Sequence, residues 1–128
     1  MPSEGESGSA GRKRGRLSRS GDFDRAYRDG RSHADRHLVL FVFPRDRDDG
    51  GDEVRLGISV GRKVGGAVDR NKVKRAMREA FWSLSDRLPG GYDFVLVGRA
   101  GVAELIEREG ANGLATAIAA LLDEAAES

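Results

Sequence analysis

The chain contains no cysteine, which excludes a disulfide framework, a thiolate zinc site and a cysteine nucleophile. Proline is scarce, three in 128 residues, and aromatic side chains make up only 6%. No stretch approaches the roughly 18 consecutive apolar residues of a membrane span. The first fifteen residues lack the apolar run of a secretory signal, so the expectation is a cytoplasmic protein with no membrane partner. At 128 residues there is room for one domain and one core, too little for a large-cavity enzyme. What the chain has in excess is charge, at 34%, and glycine, at 18 residues, as in a loop-rich module with a thin core.

The net charge of +1 conceals strong segregation. Residues 62–78 carry Arg62, Lys63, Arg70, Lys72, Lys74, Arg75 and Arg78 against Asp69 alone, a local balance of +6. Residues 100–128 carry six acids against Arg108, and residues 46–53 five acids against Arg47. A basic patch on a nearly neutral protein attracts polyanions over about one Debye length, ~8–10 Å in ordinary salt.

The pattern of residue types places these charges on elements. Residues 1–15 are too polar to bury anything and read as a disordered basic tail, leaving 16–126 as a single domain. Ser20 is placed to cap a short helix to Asp29, with Phe23, Ala26 and Tyr27 on one face and Gly30 as its stop. Leu38–Phe43, LVLFVF, is an apolar run of β-formers suited to a central strand, and Val54–Val60 alternates with period two. The two are expected to pair as a hairpin across the acidic loop 45–52, with a short edge strand near Arg31–Ala34. Asp69 is a candidate N-cap for a helix to about Ser85, with Val73, Ala76, Met77, Ala80, Phe81 and Leu84 as its apolar stripe. Arg70, Lys74 and Arg78, at i, i+4 and i+8, are assigned to the opposite face. Tyr92–Val97 reads as another strand, and 112–126 as a closing helix with Leu114, Ile118, Leu121, Leu122 and Ala125 inward.

A solvated helix normally alternates charge sign every turn, yet only Glu79 is placed to pair, with Arg75. The row therefore reads either as a nucleic-acid contact or as a merely solvated face, and the scarcity of acids favours the first. Asn71 offers amide donors to phosphates or base edges, or caps the first turn. Phe23, Tyr27 and Phe41 read equally as core residues or as rings free to stack on unpaired bases; for Phe43 core packing is the default. Gly61–Gly66 could cradle a phosphate at a helix entry but is no Walker A loop. His33 and His37 lack a third metal ligand, and no metal site is expected. No carboxylate cluster or Ser/His/Asp set stands out, so any catalysis draws its reacting groups from another molecule.

The run from Val54 to Arg75, VRLGISVGRKVGGAVDRNKVKR, resembles the signature of the bacterial ribonuclease P protein family. Arg16-Leu17, Phe23–Gly30, Arg36 and Asp93–Arg99 extend the resemblance over residues 16–122. It implies a two-layer α/β sandwich of the α+β class, like domain 2 of ribosomal protein S5. Its order is an N-terminal helix followed by three strands, a helix, a strand and a helix, with a left-handed crossover. It further implies a ribonucleoprotein endoribonuclease that removes the 5′ leader of precursor tRNA, with Mg2+ acting through the RNA subunit, no catalytic residue in the protein and no protein partner required. By matching positions, Arg62, Lys63, Arg70, Asn71, Lys72, Lys74, Arg75 and Arg78 are the implied RNA contacts, and Phe23, Tyr27 and Phe41 the implied leader cleft. Lys72 stands where the family usually has arginine, replacing a planar fork by a point charge, and Gly61 and Gly66 replace commoner polar residues. A general RNA-binding module and a small nucleotide-dependent phosphotransferase are the rival readings.

Overall fold

The computed structural model describes residues 14–17, 20–45 and 52–127. In chain order the elements are β1 (Arg14–Arg16), α1 (Ser20–Asp29), β2 (Arg31–Ala34), β3 (Leu38–Pro44), β4 (Val54–Val60), a 3-10 turn (Arg62–Val64), α2 (Ala67–Trp82), a second 3-10 turn (Ser85–Arg87), β5 (Tyr92–Gly98) and α3 (Val102–Glu127). One five-stranded sheet runs β1-β4-β5-β3-β2. The β2–β3–β4–α2–β5–α3 order is the one the resemblance implies. Most of the anticipated tail, residues 1–13, lies outside the described residues; its last two, Arg14 and Gly15, belong to β1, which pairs in parallel with β4.

The expected hairpin does not form. β5 lies between β3 and β4, antiparallel to the first and parallel to the second. The cause is legible in β5 itself: Phe94, Val95 and Leu96 are all buried, so both of its faces are covered. A strand apolar on both faces is most stable inside a sheet, and a β3–β4 hairpin would displace it to an edge. LVLFVF is therefore an interior strand but not the middle one.

Leu38, Leu40, Leu56, Phe94 and Leu96 point to one face, where α2 supplies Val73, Met77, Ala80 and Phe81 and α3 supplies Leu105, Leu114, Ile118 and Leu121. The other face carries a smaller cluster, Leu17, Ala26 and Val95, with Phe23, Phe41 and Val97 against it. α1 thus adds a partial third layer. Gly57 of β4 makes this contact possible, because a Cβ there would sit 2.8 Å from the ring of Phe23 and 3.1 Å from Leu17.

The limits of two helices differ from expectation. α2 begins at Ala67 with Gly66 as N-cap, so Asp69 stands in the first turn rather than capping it, and the helix ends at Trp82. The closing helix starts ten residues earlier than its apolar pattern indicates, at Val102, and bends at Gly110, whose φ of 69° suits glycine. The Gly-Ala-Asn-Gly run at 110–113 interrupts the periodicity and conceals the first half.

Met77 is fully buried between α2 and the sheet, and Met77→Ala is expected to cost about 2–5 kcal/mol in chemical denaturation. Val68→Ala, at a position 68% exposed, should stay within about 0.5 kcal/mol.

Candidate nucleic-acid interface

The basic segment occupies the 3-10 turn before α2 and α2 itself. Arg62 and Lys63 are exposed on the 3-10 turn before α2. This turn uses two of its own N–H groups, Val64 N donating to Gly61 O and Gly65 N to Arg62 O, which weakens the phosphate-cradle reading of Gly61–Gly66. On α2, Asn71, Lys72 and Arg75 are exposed while Arg70, Lys74 and Arg78 are half-buried. The row at i, i+4 and i+8 therefore lies on a flank of the helix, not opposite its apolar stripe; Asn71 and Arg75 point most directly outward. Among the described residues no side chain pairs with Arg62, Lys63, Arg70, Lys72, Lys74, Arg75 or Arg78, and Glu79 makes no ion pair with Arg75. Three of the six acids of α3 are engaged elsewhere, Asp123 with Arg87, Glu124 with His33 and Glu109 with Arg108.

The aromatic residues come together on the other face of the sheet. The Tyr27 and Phe41 rings meet edge-on at 4.8 Å, and Phe23 lies 6.2 Å from Tyr27. Phe23 and Phe41 are half-buried, whereas Tyr27 is 42% exposed. The cluster is thus part core and part accessible surface. Phe43 lies beneath the Arg25 guanidinium at 5.0 Å and is also only half-buried.

Sequence reasoning missed the charged network at the edge of this aromatic cluster. Asp93, 2% exposed, accepts from Arg45 Nη1 at 2.7 Å and from Arg55 Nε at 2.8 Å. Arg25 Nη2 stands 3.8 Å from its second oxygen. The Arg45 side chain is wholly buried and also donates to the carbonyls of Tyr92 and Glu53. It thereby ties the end of β3 to the starts of β4 and β5. Isolated charges inside otherwise apolar or alternating strands, Arg55 and Asp93, were the available signal.

His33 sits on β2 with Nδ1 3.7 Å from Glu124, and His37 lies in the following turn. Among the described residues no three His, Asp or Glu side chains form a group able to hold a metal ion. No helix is long and apolar enough to cross a membrane among these residues.

The family model described as Ribonuclease P matches residues 12–122. The chain belongs to the ribonuclease P protein family. Its relatives include the ribonuclease P protein component of Bacillus cereus (strain B4264), 33% identical over 98 residues, covering 77% of this chain and 83% of the relative. That of Halalkalibacterium halodurans is 37% identical over 94 residues, covering 73% and 76%. The fold agrees with the RNase P protein from Thermotoga maritima, at a TM-score of 0.73 and 33% identity over 85% of this chain and 96% of that one. The Staphylococcus aureus RNase P protein gives 0.71 and 31% over 86% and 94%. As a ribonuclease P protein, the chain is a subunit of the ribonucleoprotein endoribonuclease that processes tRNA 5′ ends, and its partner is RNA. This membership sets aside the phosphotransferase and general RNA-binding readings.

Removing Asp93 leaves Arg45 buried without its carboxylate. Asp93→Ala should therefore destabilise the ribonuclease P protein by about 3–5 kcal/mol in urea unfolding, whereas Glu104→Ala, on an exposed face of α3, should be near neutral.

Proposed function

We propose that the protein binds the RNA subunit of ribonuclease P through Arg62 and Lys63 of the entry turn and Arg70, Asn71, Lys72, Lys74, Arg75 and Arg78 of α2. Its aromatic cleft, Phe23, Tyr27 and Phe41, holds the single-stranded 5′ leader of precursor tRNA. The RNA supplies the reacting groups together with Mg2+. The protein contributes affinity and position, works without a second protein, and acts in the cytoplasm.

The observation that carries this reading is the unneutralised row on α2. Arg70–Lys74 and Lys74–Arg78 are like-charge pairs one turn apart, each destabilising a helix by a few tenths of a kcal/mol. Phosphates neutralise them, and each phosphate contact releases counterions and steepens the salt dependence of binding. Unpaired bases stack on aromatic side chains with a gain of about 1–3 kcal/mol each, which suits the accessible ring of Tyr27 beside Phe41.

Replacing Arg70, Lys74 and Arg78 together by alanine should weaken binding to transcribed RNase P RNA and lower the slope of log affinity against log salt by about 2, at roughly 0.7 per lost contact. An unchanged slope in that triple variant contradicts the assignment. Tyr27→Ala should weaken precursor tRNA with a long leader by about 1–3 kcal/mol while leaving leaderless tRNA unaffected; equal losses on both would place Tyr27 in folding rather than leader binding.

A further inference from the structure

The half-buried flank of α2 faces a second basic wall. Asp69, Lys72 and Val73 line a cleft with Ala103, Ile106 and Glu107 of α3, so that side of α2 looks toward α3. Arg70, Lys74 and Arg78 lie on the other flank, toward the sheet edge formed by β1 beside β4. In β1, Arg14 and Arg16 are register partners of Val54 and Leu56, both in the core beneath α2. Paired residues of neighbouring strands share a face, so both arginines project on the α2 side. The contact between Arg14 and Trp82, guanidinium over indole at 5.1 Å, confirms that direction.

The two walls run antiparallel with matching spacing. α2 joins the end of β4 to the start of the parallel β5, so its last residue, Trp82, lies by the start of β4, where Arg14 pairs. Residues four apart on a helix advance about 6 Å, and residues two apart on a strand about 6.6 Å. Arg14 therefore stands level with Trp82, and Arg16 level with Arg78. Neither the flank of α2 nor this face of β1 carries a carboxylate; Glu53 approaches β1 beside Gly15, on the opposite face by alternation. Arg14 and Arg16 are exposed and form no ion pair among the described residues.

We propose that β1 and α2 form the two walls of one cationic groove, in which Arg14 and Arg16 bind phosphates of an RNA strand also contacted by Arg70, Lys74 and Arg78. Trp82 is the positioning residue: its ring holds the Arg14 guanidinium against the helix end, so the row on α2 continues onto the sheet edge without a break. The inference rests on the reading of α2 as an RNA contact and extends it to a strand outside the basic segment.

The test compares full-length variants binding transcribed RNase P RNA across a salt series. Arg14→Ala/Arg16→Ala is expected to lower the salt slope by about 1.4, two contacts at roughly 0.7 each, and Arg14→Lys/Arg16→Lys to restore most of it. Trp82 is the chain's one tryptophan, so saturating RNA should also change its emission. If the alanine pair leaves the slope unchanged while the α2 triple variant lowers it, the β1 wall is wrong and α2 stands. If neither variant changes the slope, the RNA reading of α2 fails first. A lysine pair that loses as much slope as the alanine pair, or tryptophan emission indifferent to RNA, likewise overturns the groove.

Discussion

The structure depends on the burial of β5 from both sides. Phe94 and Leu96 face α2 and α3 while Val95 faces α1, so helices must cover both faces of the sheet. The chain is too short to do this evenly. Among the described residues two helices, α2 and α3, cover one face, and the ten residues of α1 with Leu17 cover the other. The thin side is where aromatic rings stay part-exposed, and the thick side is where a helix outer surface is free to be predominantly basic, with Asp69 and Glu79 as its exposed acids. Apolar burial of this kind stabilises by about 25 cal/mol per Å², far outweighing the repulsion that a row of like charges adds at the surface.

The two candidate sites therefore lie on opposite faces of one sheet, and the edge strand β1 runs between them. Leu17, directly after β1, packs under α1, while Arg14 reaches the end of α2. Beside the aromatic cluster, Asp93 gathers Arg45, Arg55 and Arg25, locking the starts of β4 and β5 to the end of β3. Such a buried ion network adds little net stability but is costly to break. It holds the frame on which Arg25 covers Phe43 and α1 is set against the sheet.

Much of this was legible in the sequence because burial writes periodicity. The strand from Leu38, the alternation from Val54 and the apolar stripe Val73–Met77–Ala80–Phe81 each follow the period of the element they form. Strand order was not legible: nothing local to β3 and β4 reveals that β5 inserts between them, a non-local pairing decided by which strand needs cover on both faces. β1 was hidden because Arg14-Gly15-Arg16 has no apolar signal and pairs through its backbone alone. The first half of α3 was hidden by Gly110 and Gly113. Of the candidate site, residue types and spacing singled out the cations and the aromatic rings, and the family resemblance alone assigned them to RNA and leader. The flank they occupy required knowing that α3 packs on the other side of α2.

The central claim is that the cations of α2 are held for an RNA that performs the chemistry. The most direct measurement is cleavage of a precursor tRNA by transcribed RNase P RNA at low Mg2+, with and without this chain, scoring the 5′ end of the product. The account predicts that cleavage at the mature 5′ end under these conditions requires the protein. An identical rate with and without it, or cleavage by the protein in the absence of the RNA, would contradict it.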